Sequence, residues 1–226
     1  MFCLKIIVDI CSSFFKTEQN KTPTMRNFLL AIAAIAFSAA STQAQTTSFG
    51  LKGGMTASNM KMSSSGISIS LTTKIGFYAG AFAEVGVSEK FAIQPELFYS
   101  SMGAKMKASD SGMTASASEN LGYINLPILA KYKSEGFSIF AGPEVSYLLS
   151  AKSKSSQSSE TVNDKDEYKP IEVSGVLGAG YTLANGFGID ARYQIGLTNL
   201  IKDTQGTDAT AKNSAFMVGI HYFFNK

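Results

Sequence analysis

Residues Ile75–Lys105 read IGFYAGAFAEVGVSEKFAIQPELFYSSMGAK, two alternating runs on either side of the polar turn Ser88-Glu89-Lys90. In the second run Phe91, Ile93, Pro95, Leu97 and Tyr99 fall on one face and Ala92, Gln94, Glu96, Phe98 and Ser100 on the other. Side chains alternate faces along a strand, so the stretch predicts a β-hairpin with one apolar face and one small or polar face.

The same strand–turn–strand plan recurs from Leu121 to Lys152 around Ser134-Glu135-Gly136, and from Pro170 to Leu200 around Ala184-Asn185-Gly186. A glycine-rich opening strand, Thr46–Asn59, and a closing strand, Ser214–Phe224, bring the count to eight. Between the hairpins lie polar segments at Met60–Thr73, Met106–Asn120, Ser153–Lys169 and Ile201–Lys212. Strict alternation of short turns with long polar loops is the pattern of an outer-membrane barrel, with periplasmic turns and outer loops. The expected fold is all-β, an eight-stranded antiparallel up-and-down transmembrane β-barrel. Pro95, Pro127 and Pro143 fall inside strands, where each removes a ladder donor, so β-bulges are expected there.

Composition agrees. The 226 residues include 20 Gly, 16 Phe and 9 Tyr, no Trp, and only 16% charged side chains. Residues 25–44, MRNFLLAIAAIAFSAASTQA, read as a signal peptide: a basic start at Arg26, an apolar core from Phe28 to Ala40, then small residues up to Ala44. The barrel domain is then 45–226. Met25 heads a complete signal by itself, so residues 1–24 are either an N-terminal extension that is not translated or an unusually long leader. Both cysteines, Cys3 and Cys11, fall there, which leaves no disulfide framework. Four basic and two acidic side chains also fall within 1–44, so the formal charge drops from +3 to +1 without them. No basic stripe suits a nucleic acid.

The fragments FGLKGGMTASN (49–59), FAEVGVSEKFAIQPELFYSSMGAK (82–105), YINLPILAKY (123–132) and AGPEVSYLL (141–149), with the closing strand, resemble the PorT-type outer-membrane β-barrel family, also called the outer membrane protein β-barrel domain. The resemblance spans Phe49–Phe224. It implies an eight-stranded barrel in a Gram-negative outer membrane and carries over no catalytic or ligand site; one member type is linked to protein secretion. In FMVGIHYFF (216–224), Gly219, Tyr222 and Phe224 resemble the C-terminal signal read by the barrel-assembly machinery, although Asn225 and Lys226 follow the last aromatic.

Assigning the aromatic-tipped faces to lipid sends Lys52, Glu84, Glu96, Lys131, Glu144, Glu172, Asp190 and Arg192 inward. Charges in a narrow interior require partners, so an ion-pair network is expected, with Arg192 and Lys52 at its centre. His221, the single histidine, faces inward near the short-turn end, where a structural pair with Asp190 is a better reading than catalysis. Other candidates reduce to ordinary roles. GVLGAG (175–180) lacks the Lys-Ser/Thr of a phosphate loop. Asn163–Glu167 lacks the glycine of a calcium loop. Met55, Met60, Met62, Met102, Met106 and Met113 read as loop and rim methionines rather than a Cu(I) site.

No cofactor, metal or catalytic constellation emerges. Lipid and the assembly machinery are the expected partners. The expected role is non-enzymatic: partner binding or envelope integrity through the loops or the barrel itself. The alternatives are a narrow channel or secretion accessory, and a soluble periplasmic barrel for an apolar ligand.

Overall fold

The computed structural model describes residues 47–224 apart from 65–66, 71, 111–112, 156–157, 164, 166–167 and 202–209. The expected signal peptide, the N-terminal extension and both cysteines lie outside the described residues. Ten strands follow in order: β1 (Thr47–Ser64), β2 (Ile67–Ser70), β3 (Thr72–Gly86), β4 (Phe91–Asp110), β5 (Met113–Ser134), β6 (Phe137–Ser155), β7 (Ser158–Asn163), β8 (Ile171–Thr182), β9 (Phe187–Gly196) and β10 (Thr210–Phe223).

Eight of these form the wall; β2 and β7 are short additions paired to β1 and β6. Every wall pairing is antiparallel, and β10 closes onto β1 from Gly50↔Phe223 to Ser63↔Thr210. Closure matters because lipid offers no partner to an open strand edge. One circuit of paired residues shows the stagger. It runs Thr47, Val85, Ile93, Ala130, Ala141, Leu177, Tyr193, Phe216 and returns to β1 at Ala57, ten residues above its start. Eight strands with that stagger tilt by about 40° and leave an interior that side chains can fill.

The short turns show why the hairpins close tightly. In one, the Phe91 N–H donates to Ser88 Oγ at 3.1 Å. In the second, Glu135 and Gly136 take positive φ, 47° and 85°, and in the third Gly186 does so at 87°.

Two expectations change. The polar segments are not simple loops: β4 and β5 stay paired out to Asp110↔Met113, and β6 pairs β7 beyond the wall. The alternation there is merely too polar to read as strand. The prolines also sit in the wall without bulges. The ladder skips Ala83 and Glu84 opposite Gln94 and Pro95, Glu96 and Leu97 opposite Leu126 and Pro127, and Ile128 and Leu129 opposite Gly142 and Pro143, with register unchanged across each gap. An antiparallel residue directs its N–H and C=O at one neighbour, so each proline opens the ladder on one side only. The irregularities fall elsewhere, between Thr73 and Tyr78 and at Gly122/Tyr123.

Alternation places Phe49, Leu51, Ile93, Leu97, Ile139, Leu177, Ile189, Ile195 and Ile220 on the outside, all exposed. Near the short turns, aromatic pairs ring the outer surface: Phe91–Tyr132 at 5.2 Å, Phe137–Tyr181 at 6.4 Å and Phe187–Tyr222 at 4.6 Å between centroids. Such a girdle suits the membrane interface.

Candidate functional site

Arg192 on β9 organises the interior. Its guanidinium donates to Glu96 at 2.7 and 3.3 Å and to Asp190 at 2.9 and 3.1 Å. Lys52 donates to the same Glu96 oxygen at 2.7 Å, and Gln94 Nε2 to the other at 2.7 Å. Asp190 lies 3.3 Å from His221 Nδ1, and His221 Nε2 lies 3.0 Å from Thr182 Oγ1. Arg192 also rests on the Phe140 ring at 5.0 Å, while Lys52 sits against Tyr78 and Phe98 at 5.6 and 5.4 Å. The Arg192 and Glu96 side chains are 2% and 0% exposed, so these charges are removed from water. Sharing one carboxylate between two cations, each with further contacts, is the arrangement that offsets such desolvation.

Toward the short-turn end, Lys131 bridges Gln94 and Glu84 at 2.9 Å each, and Lys133 reaches Glu84 at 2.6 Å. This outer group borders a cavity of about 670 Å³ at the mouth, lined among others by Thr47, Ser48, Phe137 and Phe223. Above it, the space among Lys52, Gln94, Lys131, Asp190, Arg192 and His221 shrinks to about 10 Å³. That volume admits about one water at most.

Seven of the nine expected lumen residues therefore share one connected set of contacts: Lys52, Glu84, Glu96, Lys131, Asp190, Arg192 and His221. Glu144 and Glu172 do not belong to it, which corrects the expectation. Both are buried and inward, but among the described residues neither makes an ion pair. The reason is height. Glu144 lies seven residues above Phe137 and Glu172 ten above Thr182, whereas Arg192 lies only five above Phe187. Glu144 accepts instead from Ser146 at 3.2 Å, beside a chain of Ser146, Asn125 and Ser100.

Beyond that level the interior turns mainly apolar, with Ser58, Lys74 and Asn213 buried among the apolar side chains. Met60, Met102, Leu121, Leu148, Ala151, Leu200, Ala211 and Met217 form one buried cluster with Tyr78, Phe98 and Tyr123. Of the sequence methionines, Met60 and Met102 thus lie in the plug, and Met55 faces lipid at 63% exposure. The side chains of Met62, Met106 and Met113 lie outside the described residues, as does most of Asn163–Glu167. GVLGAG lies on β8, where Gly178 leaves room for Phe140; a Cβ there would stand 2.5 Å from its ring.

Sequence reasoning missed Gln94, the link between the two ion-pair groups, and Lys133. Gln94 stands two residues before Glu96 on the same face, which is the signal that identifies it. The closing strand also gains a structural explanation. A Cβ on Gly219 would collide with Tyr78 Oη and the Gly53 carbonyl, while Tyr222 and Phe224 face outward.

A closed, tilted eight-stranded barrel with an apolar, aromatic-girdled exterior and a charged interior is the architecture of a protein that spans an outer membrane. Residues 43–202 match the family described as outer membrane protein beta-barrel domain. The chain belongs to that family and is an outer-membrane β-barrel protein. Its fold is similar to the crystal structure of Neisserial surface protein A, at 13% identity over 78% of this chain and 98% of that one, with a TM-score of 0.49. It is also similar to Ail, the attachment invasion locus protein of Yersinia pestis (15%, 79% and 99%, TM-score 0.41), and to the outer membrane protease OmpT of Escherichia coli (8%, 81% and 99%, TM-score 0.41). No curated protein matches the sequence.

Proposed function

We propose that this protein is a non-conducting, non-enzymatic barrel of the PorT type whose projecting strands, not its lumen, carry its role in partner binding or envelope integrity. The observation behind this reading is the doubly filled interior: the Arg192–Glu96–Lys52 layer and, above it, the apolar cluster around Met60, Met102 and Leu148. A solute entering the mouth cavity meets the 10 Å³ constriction at once. What remains available is the exterior. A tilted strand crosses the membrane in about 9–11 residues. β4, β5 and β6 run for 20, 22 and 19 residues, against 12 and 10 for β8 and β9. The surplus stands on the side away from the short turns, which the loop-length asymmetry assigns to the cell exterior. The signal peptide at 25–44 and recognition of Gly219, Tyr222 and Phe224 by the assembly machinery complete the proposal.

Planar-bilayer recording of the purified protein tests it. The expected result is no steady conductance above background. A stable open level in wild-type protein overturns the reading and favours a channel.

A further inference from the structure

A like-charge pair stands across the seam that closes the barrel. Where β1 meets β10, Lys61 lies directly opposite Lys212. Both are exposed, while their neighbours Met60, Ala211 and Asn213 are buried, so both side chains leave the wall on its outer face. Below them on that face come Asn59 opposite Ser214, then Ala57 opposite Phe216 and Met55 opposite Val218, where the apolar belt begins.

Side chains directly opposite on antiparallel strands stand about 4.5–5.5 Å apart at Cβ, and like charges there destabilise the sheet. This pair cannot ease apart by slipping. The ladder runs unbroken from Gly50↔Phe223 to Ser63↔Thr210, and a shift by one residue would turn the apolar belt of β1 inward. Among the described residues neither lysine makes an ion pair.

Height identifies the anion that meets them. Tyr222, opposite Leu51, belongs to the aromatic girdle at the short-turn end, where its ring packs on Phe187. Lys212 lies ten residues away along the same strand, and Lys61 ten beyond Leu51. At about 3.3 Å per residue and a tilt of about 40°, that is about 25 Å along the membrane normal. The apolar band of such barrels is about 25 Å tall, so both ammonium groups stand at the headgroup plane on the side of the projecting strands. The anion that a membrane presents at that height is the headgroup phosphate.

We propose that Lys61 and Lys212 form a clamp for the phosphate of one anionic lipid headgroup at the β1–β10 seam. A phosphate between the ammonium groups turns a repulsive pair into two charge-assisted contacts, and the closeness that is unfavourable alone brings both donors to one phosphate. Lys152 shows the contrast. It is exposed too, but it faces Asn120 on β5 and Asn163 on β7, so a phosphate there meets one cation rather than two. The clamp goes beyond the proposed function and depends neither on conduction nor on which side of the membrane the strands project.

The test counts bound lipid. The protein is refolded into vesicles of phosphatidylcholine with phosphatidylglycerol, whose one charge is its phosphate, then released in mild non-ionic detergent and weighed by native mass spectrometry. The folded band of the unboiled protein checks each variant; both lysines lie outside the packing of the wall, so the variants are expected to fold. Expected are one phosphatidylglycerol retained per wild-type chain, occupancy lower by at least about fivefold in Lys61→Gln and in Lys212→Gln, and unchanged retention in Lys90→Gln/Lys152→Gln, which removes two exposed lysines elsewhere. Wild-type protein that retains no phosphatidylglycerol overturns the proposal, as do single variants that retain as much as wild type. Equal loss in the Lys90→Gln/Lys152→Gln control overturns it as well, since net surface charge then accounts for the binding. Displacement of the lipid by millimolar inorganic phosphate shows a site for a free anion and overturns the lipid assignment.

Discussion

Replacing Arg192 by Met removes four charge-assisted hydrogen bonds in a layer where the side chains are almost fully buried. Breaking a buried pair by deleting one member typically costs about 3–5 kcal/mol, because the remaining charge stays in the interior. Here the lower end applies. Glu96 keeps Lys52 and Gln94, each at 2.7 Å, and Asp190 keeps His221 at 3.3 Å. The expected loss is about 3 kcal/mol, or about two orders of magnitude in the folding equilibrium.

A second substitution separates charge from packing. Within the layer, Lys52 and Arg192 balance Glu96 and Asp190. Removing Arg192 alone leaves one excess negative charge; Arg192→Met with Asp190→Asn removes the excess and leaves the Lys52–Glu96 pair intact. The double variant is therefore expected to regain most of the loss and to lie within about 1 kcal/mol of wild type, since replacing a whole buried pair by neutral groups is often near neutral. Urea unfolding in phospholipid vesicles, followed by tyrosine emission because the chain has no Trp, measures both. A single variant within about 0.5 kcal/mol of wild type would show that the layer behaves like an exposed pair in water. A double variant no better than the single one would refute the charge-balance argument.

Lys131→Met is expected to cost less than Arg192→Met, about 1 kcal/mol in the same assay, because Glu84 retains the part-exposed Lys133 at 2.6 Å. Gly186→Ala, which forces a Cβ into φ of 87°, is expected to cost about 1–2 kcal/mol. Gly219→Val is expected to stop the barrel from closing, since its side chain would meet Tyr78 and the Gly53 backbone; the check is whether the unboiled protein still migrates as a folded band. Single cysteines at Lys152 and Thr210 are expected to react with an impermeant thiol reagent on whole cells, and those at Ser88 and Asn185 only after permeabilisation. The reverse pattern inverts the proposed orientation.

The wall was largely legible because a strand's side-chain period is two and lipid punishes any exception. Phe187–Gly196 alternates without a break, and its burial alternates with it. The projecting ends were not legible. From Met106 to Asn120 both faces are polar, so nothing in the pattern separates a loop from a paired ribbon, and the register of β4 with β5 comes from the hairpin below. The prolines misled for a related reason: a missing donor is visible in sequence, but which neighbour it would have served depends on the three-dimensional ladder. Charged lumen residues were legible one by one. A network centred on Arg192 and Lys52 was legible too, but not which inward carboxylates stay out of it, because a stagger of ten residues moves partners up or down the axis between strands. That is why Arg192 meets Glu96 from the far side of the barrel while Glu144, no less inward, makes no ion pair among the described residues.

The axial order of the interior follows from this same stagger and explains why one alternating code yields three environments. Near the short turns, inward positions carry Glu84, Lys131 and Lys133, at the edge of a cavity of about 670 Å³ where charge is tolerable. At mid-height Arg192, Glu96, Asp190 and Lys52 are dry, and they survive there because they neutralise one another. Higher still, inward positions become mostly Met, Leu and Ala, and the polar side chains among them, Ser58, Lys74 and Asn213, hydrogen-bond to the wall or to Met102. A conducting lumen would require small or water-facing polar groups at all three heights. Opening this one would mean breaking a mutually neutral charge layer and also displacing a packed apolar cluster. Those costs add, because the two layers share few residues. A single lumen substitution is therefore expected to destabilise the barrel before it makes a pore.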